Sequence, residues 1–234
     1  MLMEVLEMRN VNKKIKDKSV LTDISLKINQ GEIVGLIGGN GAGKTTLMKS
    51  ILGLTNYQSG DIIVHHSPDD HSAHVGALIE SPGIYPYLSG YDNLKLFNES
   101  KSHSNMEEII EKLNMKAYIY KKAKTYSLGM KQKLGIAMAL LNNPRLLILD
   151  EPMNGLDPRA VKDVRDILLD LSKKGVAILI SSHILSELIK ITDSLLIIDK
   201  GRILKRTTID EIHLAGEDIE TILLNIIDGK DELN

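Results

Sequence analysis

An apolar segment, Glu32-Ile33-Val34-Gly35-Leu36-Ile37, runs without a break into GGNGAGKT at residues 38–45. The pattern G-x-x-x-x-G-K-[ST], entered from a strand and left through a helix, predicts a phosphate loop. Its glycines let the backbone curl until several N–H groups converge on one anion, and the helix that follows points its positive end at the same place. Lys44 would reach the β- and γ-phosphates of a nucleotide, and the Thr45 hydroxyl would ligate Mg²⁺. The nucleotide-binding set expected from this loop is Gly38, Gly39, Asn40, Gly41, Ala42, Gly43, Lys44, Thr45 and Thr46, with Gly41, Gly43 and Thr46 giving backbone N–H contacts.

The surrounding pattern suits such a loop. Two strand-like segments open the chain, at about 3–9 and 20–28, and further apolar runs end in polar residues at Leu146–Leu149, Val176–Ile180 and Leu195–Ile198. Helical patterns separate them, the alternation of a mostly parallel sheet covered by helices. Asp157 reads as a helix N-cap and Pro158 as the first helical residue. Val161, Val164, Leu168 and Leu171 mark the buried face of that helix, and Lys173-Lys174-Gly175 close it. The stretch from about 84 to 142 has no convincing strand and two capping-box patterns, Ser89-x-x-Asp92 and Asn105-x-x-Glu108. It reads as a helical subdomain inserted between two strands.

A phosphate loop leaves kinases, GTPases, motor ATPases and transporter ATPases open. A guanine reader, Asn-Lys-x-Asp, begins at Asn12-Lys13-Lys14-Ile15 but lacks its acid. Residues 146–157, LLILDEPMNGLD, narrow the choice. A central apolar strand ends on Asp150, able to hold Mg²⁺ through a water. Glu151 follows directly, placed to polarise an attacking water as general base.

Composition excludes other classes. The 234 residues suit one large domain, and 29 basic against 31 acidic residues leave a formal charge of −2. That balance gives no electrostatic argument for nucleic acid as a partner. The absence of cysteine excludes disulfides and thiolate metal sites. The N-terminus MLMEVLEMRN has no signal-peptide pattern, and no uncharged apolar stretch reaches the roughly 18 residues of a membrane span.

With YSLGMKQ at 126–132 and ISSHILSEL at 180–188 added, the motifs resemble the ATP-binding subunits of ABC transporters, in order and over nearly the whole chain. The resemblance implies an α/β P-loop cassette with a mostly parallel sheet, N-terminal antiparallel strands and an inserted helical subdomain. It matches Asp150 and Glu151 to the second Walker motif. Asn154, Gly155, Leu156 and Asp157 match the D-loop facing a partner subunit, and His183 matches the switch histidine at the γ-phosphate. Ser127, Leu128, Gly129 and Met130 occupy the signature position, where Leu-Ser-Gly-Gly-Gln is usual. Three positions depart (Tyr126, Leu128, Met130), while the Ser127 hydroxyl and Gly129 remain. That signature would open a helix, Lys131 to about Leu141, and meet ATP held by a second subunit.

Residues 76–83, GALIESPG, place Glu80 where the family usually has glutamine. Glutamate there, with SLGM, resembles the branch that exports bacitracin or protects lantibiotic producers. The resemblance gives Glu80 a Mg²⁺ and water contact and couples it to a membrane subunit. Two departures remain. Ile15 aligns where an adenine-stacking aromatic is expected, no aromatic preceding Tyr57, and Gly39 replaces a common proline. The histidine-rich HHSPDDHSAH at 65–74 reads as an exposed loop rather than a metal site, since a metal requires converging ligands.

The function implied is a cytoplasmic ATPase using ATP and Mg²⁺. It would dimerise head to tail with itself or a homologous subunit and sit on the inner face of the membrane through separate permease subunits. Rival classes are a soluble ABC ATPase acting on ribosomes or DNA, and a binding-only regulator.

Overall fold

A computed structural model of the chain describes residues 3–65, 75–99 and 103–215, with 221–222 and 225–226. The chain opens with β1 (Glu4–Ile15), β2 (Lys18–Asn29) and β3 (Ile33–Ile37), then α1 (Lys44–Ile51), β4 (Ser59–Val64) and β5 (Val75–Leu78). Helices α2 (Gly90–Phe97), α3 (His103–Lys112) and α4 (Leu128–Leu140) follow, with a 3₁₀ turn at Ala123–Thr125. The remainder is β6 (Leu146–Leu149), α5 (Pro158–Lys173), β7 (Ala177–Ser181), α6 (Leu185–Leu188), β8 (Ser194–Asp199), β9 (Arg202–Thr208) and α7 (Ile209–Ala215).

Two sheets result. A three-stranded antiparallel sheet has the order β2-β1-β4, and a six-stranded sheet has the order β5-β6-β7-β3-β8-β9. The larger is parallel except for β9, which returns antiparallel along β8. Strands β1 and β2 are longer than the sequence suggested because charged residues such as Lys13 and Lys18 continue the ladder.

The apolar runs of β3, β6, β7 and β8 are buried on both faces, as central parallel strands require. Alternate residues feed two cores, since side chains in a strand alternate between faces. Ile33, Leu147, Leu149, Ile178, Ile180 and Leu195 pack with α3, α4 and α5. Val34, Leu36, Leu146, Ile148, Leu179 and Leu196 pack on the other face with α1, β1 and β2.

Helix α5 forms as its punctuation predicts. Asp157 caps it, accepting from Arg159 N and Ala160 N, with Pro158 at the first position. The Ala160 amide holds the Asp157 carboxyl below the usual carboxylate range. Val164, Ile167 and Leu168 are buried, and Gly175 leaves the helix at φ +91°.

Between β5 and β6 the described chain holds only helices and turns. Ser89 caps α2 as predicted, accepting from Asp92 N, but Asp92 Oδ2 accepts from the Ser89 hydroxyl rather than from its backbone N–H, as a full capping box would require. Asn105 corrects the second prediction. It lies inside α3, and its Nδ2 donates to the Leu141 carbonyl at 2.6 Å, so a contact to the end of α4 has replaced a local cap. Helix α4 also starts earlier than Lys131, because Ser127 caps it at Leu128 by accepting from Met130 N.

Strand β5 packs directly on α4. A Cβ on Gly76 would lie 2.0 Å from the Ala139 carbonyl oxygen, an approach only glycine allows. Gly76→Ala should therefore destabilise the fold by about 1–3 kcal/mol. The thermal midpoint should fall by roughly 2–4 °C per kcal/mol, and a melt matching the parent would contradict this packing.

Candidate functional site

The carboxyl ends of β5, β6, β7 and β3 gather the candidate residues on one edge of the sheet. Strand β3 delivers the glycine loop, whose Gly38 is wedged on β8: a Cβ there would lie 2.2 Å from the Ile198 carbonyl oxygen. The loop is also braced by the β8–β9 turn, where Gly201 N donates to Ala42 O at 2.8 Å and Thr22 N donates to Gly201 O at 2.7 Å. Gly43 stands at the N-cap of α1 with φ +112° and makes no side-chain capping bond. The amides of Gly43, Lys44, Thr45 and Thr46 therefore lie at a helix start with no intrahelical acceptor, a ready anion site. Lys44 Nζ folds back onto the loop, donating to Gly38 O at 2.6 Å and Gly39 O at 3.2 Å.

Asp150 faces this loop from the end of β6 and is 5% exposed. Thr45 Oγ1 donates to its Oδ2 at 2.7 Å, and Ser181 Oγ donates to its Oδ1 at 2.7 Å. Thr45 and Asp150 offer the hard oxygen donors that Mg²⁺ selects, and they already meet.

Glu151 adopts φ +51°, a left-handed backbone that costs a non-glycine residue about 1–3 kcal/mol and needs outside support. Its N–H donates to Ser181 Oγ at 2.9 Å, and its carbonyl accepts from Gln132 Nε2 at 3.2 Å. Its carboxylate Oε2 accepts from His183 N at 3.1 Å and lies 2.7 Å from His183 Nδ1. With Nδ1 protonated the ring donates to Glu151 and turns Nε2 outward. The His183 side chain is 63% exposed.

Glu80 is the counterpart of Glu151 one strand over. Leu78 of β5 pairs with Leu149 of β6, so the two glutamates lie level, and Glu80 shares the left-handed backbone at φ +60°. Its carboxylate turns to Lys49 of α1, at 2.7 Å.

A cleft of about 320 Å³ is lined by Gly39–Thr46, Asp150, Glu151 and Val20. Ile15 is not among its lining residues. It lies at the β1–β2 turn, 51% exposed, and Val20 is the apolar side chain beside the loop. The signature residues Ser127–Met130 do not line the cleft either. Ser127 and Leu128 are exposed at the start of α4, and Leu128 covers Gly155 of the Asn154–Asp157 segment. A Cβ on Gly155 would lie 2.4 Å from Leu128 Cδ2. Leu156 packs partly buried against the core.

Sequence reasoning missed Ser181, Val20, Gln132 and Lys49. A serine closing an apolar strand reads as a terminator, Val20 reads only as the start of a strand, and Gln132 and Lys49 carry no signal beyond their places in helices. The stretch 66–74 lies outside the described residues. His65 stands beside Glu4 and Glu7, one ligand atom of each within 4.8 Å of the others. Lys27 binds both carboxylates, at 2.8 and 3.1 Å, and Arg9 binds Glu7, holding that carboxyl down at about 2. Two side-chain cations thus already neutralise the two acids.

A glycine loop between strand and helix, opposed by a carboxylate pair at the end of β6, two strands away in the same sheet, defines a P-loop nucleotide site. Residues 21–154 match the family model described as ABC transporter. The chain is 42% identical over 226 residues to an uncharacterised ABC transporter ATP-binding protein, YdbJ of Bacillus subtilis (strain 168), covering 93% of this chain and 72% of that one. It is 40% identical over 223 residues to the bacitracin transport ATP-binding protein BcrA of Enterococcus faecalis, covering 91% of this chain and 72% of that one. It is 37% identical over 227 residues to the lantibiotic transport ATP-binding protein SrtF of Streptococcus pyogenes, covering 95% and 97%. A solved ATP-binding subunit of an ABC transporter superposes with a TM-score of 0.86 at 29% identity, covering 95% of this chain and 99% of that one. The chain belongs to the ABC transporter ATP-binding family, whose cassettes bind and hydrolyse ATP.

The Glu80–Lys49 pair is exposed, with side chains 62% and 33% accessible. Such pairs contribute about 0–1 kcal/mol, so Glu80 can leave Lys49 at little cost. Lys49→Ala should leave the thermal midpoint of the nucleotide-free protein within about 4 °C of the parent. A larger fall would make the pair a structural clamp.

Proposed function

We propose that this chain is the ATPase subunit of an exporter for antimicrobial peptides of the bacitracin or lantibiotic type, serving resistance or immunity. The observation that carries the reading is its likeness, over nine-tenths of its length, to transport ATP-binding proteins named for those two cargo classes. Glu80 and the SLGM signature support the same branch.

The geometry supports the roles that the motifs suggest. Gly38–Thr46 cradle the nucleotide phosphates, with Lys44 exchanging its loop carbonyls for phosphate oxygens. Thr45 and Asp150 would hold Mg²⁺, which would supply neutralisation of the developing phosphate charge. Glu151 accepts the proton of the attacking water, and His183 orients that carboxylate and faces the γ-phosphate. Glu80 joins Thr45 and Asp150 as the third group of the metal edge once it leaves Lys49. Ile15 retains only an apolar contact beside adenine, from the rim.

The exposure of the signature segment supports dimerisation. The exposed start of α4, with Ser127 and Gly129, presents helix N–H groups to a phosphate on a second subunit, and Asn154–Asp157 line the seam between the two. The second subunit is this chain again or a homologous ATPase.

Tyr85, Tyr87, Leu96, Phe97 and Tyr120 are exposed at 55%, 75%, 59%, 39% and 69%, all within the stretch following β5. They give separate permease subunits an apolar surface, and Ser81–Leu88 relays closure to it. Among the described residues no helix is long and apolar enough to cross a membrane, which suits a peripheral subunit on the inner face.

Lys44→Ala should lose productive ATP binding, whereas Glu151→Gln should bind MgATP, accumulate as a dimer in gel filtration and turn over at least about a hundredfold more slowly, roughly the lower bound of general-base effects. A strictly monomeric Glu151→Gln with parental turnover would sink the assignment. In the assembled complex, Glu80→Gln should keep ATP binding but shift the Mg²⁺ dependence of turnover, and Glu80→Ala should lose export more than ATP binding. Parental Mg²⁺ curves and export for Glu80→Ala would return Glu80 to a solvated strand-end acid.

A further inference from the structure

We propose that Ser181 is a positioning residue for ATP hydrolysis, whose hydroxyl ties the metal-side carboxylate Asp150 to the backbone of the water-side carboxylate Glu151. The inference rests on the ATPase reading and extends it to a residue outside the nucleotide and metal ligands.

Ser181 closes β7, a strand whose other residues, Ala177, Ile178, Leu179 and Ile180, are wholly buried and apolar. Ser181 itself is 0% exposed. A hydroxyl in such a place must be fully bonded. It donates to Asp150 Oδ1 at 2.7 Å and accepts from Glu151 N at 2.9 Å. One oxygen thus holds two consecutive residues of the neighbouring strand end. The register makes this possible, since Leu149 pairs with Ile180 and places Asp150 level with Ser181.

Each bond has a separate consequence. The bond to Asp150 fixes the carboxylate plane and leaves Oδ2 turned to Thr45. If Thr45 gives its hydroxyl to a metal ion, Ser181 becomes the side-chain donor that keeps Asp150 aimed. The bond from Glu151 N anchors the entry to a residue with φ +51°, and the Gln132 and His183 contacts anchor its carbonyl and carboxylate. Ser181→Ala would release Asp150 Oδ1 and leave the Glu151 amide without its acceptor, while leaving the bond from Thr45 to Asp150 Oδ2 and the loop's own backbone contacts in place. Its effect therefore falls on metal placement and on the chemical step, not on nucleotide affinity.

The test compares Ser181→Ala and Ser181→Thr with the parent in three measurements. ATP binding in EDTA is followed by calorimetry, steady-state ATPase is followed across a Mg²⁺ series, and thermal melts report folding. Ser181→Ala should lower kcat by about ten- to a hundredfold, the range for partners that orient metal ligands. It should also raise the half-saturating Mg²⁺ concentration, with ATP affinity in EDTA within about twofold of the parent, the split expected of an interaction used only in the reaction. Ser181→Thr, which keeps the hydroxyl, should recover most of both losses. The alanine result stands alone if the threonine methyl does not fit, because EDTA binding and the melt report its folding independently. Parental kcat and Mg²⁺ midpoint in Ser181→Ala would overturn the role of Ser181 while leaving the ATPase reading intact. Loss of EDTA-ATP affinity in step with kcat would reduce Ser181 to a packing residue. A parent with no Mg²⁺-dependent turnover would overturn the ATPase reading and this inference with it.

Discussion

The Asp150 carboxylate, nearly buried, accepts a hydroxyl on each oxygen, from Thr45 and from Ser181. Those residues follow β3, β6 and β7, adjacent strands in the sheet order. A carboxylate taken from water is tolerated only when its oxygens are bonded, so this one fixes three chain segments at once. Around it the phosphate loop can stay open-structured. Its glycines need no side-chain contacts because Gly38, Gly201 and Asp150 hold the loop at its base, its side and its exit into α1.

Burial explains why much of this was legible in the residues. A strand covered on both faces must be a continuous apolar run, so β3, β6, β7 and β8 announced themselves, and a charged residue at the end of such a run had to reach an edge. Asp150 and Glu151 were therefore visible as a pair. Asp157 was visible because a cap is a local device, using amides two and three residues ahead. The failures are tertiary. Asn105 has the spacing of a cap, but a carbonyl at the end of α4 competes for its side chain and wins. Ser181 has no local signature, since its importance arises only when Leu149 and Ile180 come into register. Val20 rather than Ile15 lines the cleft because the β8–β9 turn presses β2 against the loop there. No motif in β2 records that contact.

The departures in the signature have a structural reading as well. Where a glycine is usual, Leu128 lays its side chain over Gly155, whose φ of +72° already requires glycine. The Ser127–Met130 and Asn154–Asp157 segments are thereby packed against each other within one chain. Both face a second subunit in the proposed dimer, so displacement of one passes by direct contact to the other. From there it reaches Glu151, whose carbonyl accepts from Asn154 N at 3.2 Å and from Gln132 of α4.

The two strained glutamates then differ in a way that follows from their surroundings. They stand level on adjacent strands with nearly the same backbone. Glu151 is held by Ser181, Gln132 and His183 and its side chain is 27% exposed, whereas the Glu80 side chain is 62% exposed and meets a lysine at the helix surface. Solvent weakens the second pair and leaves the first comparatively protected. A charge arriving between them would therefore move Glu80 before it moved Glu151. In the proposed reading the firmly held acid is the one that activates water, and the exposed acid is the one continuous with Ser81–Leu88 and its exposed tyrosines. The proposed division between chemistry and signalling then rests on the hydrogen bonds and the solvent exposure given to each glutamate on neighbouring strands.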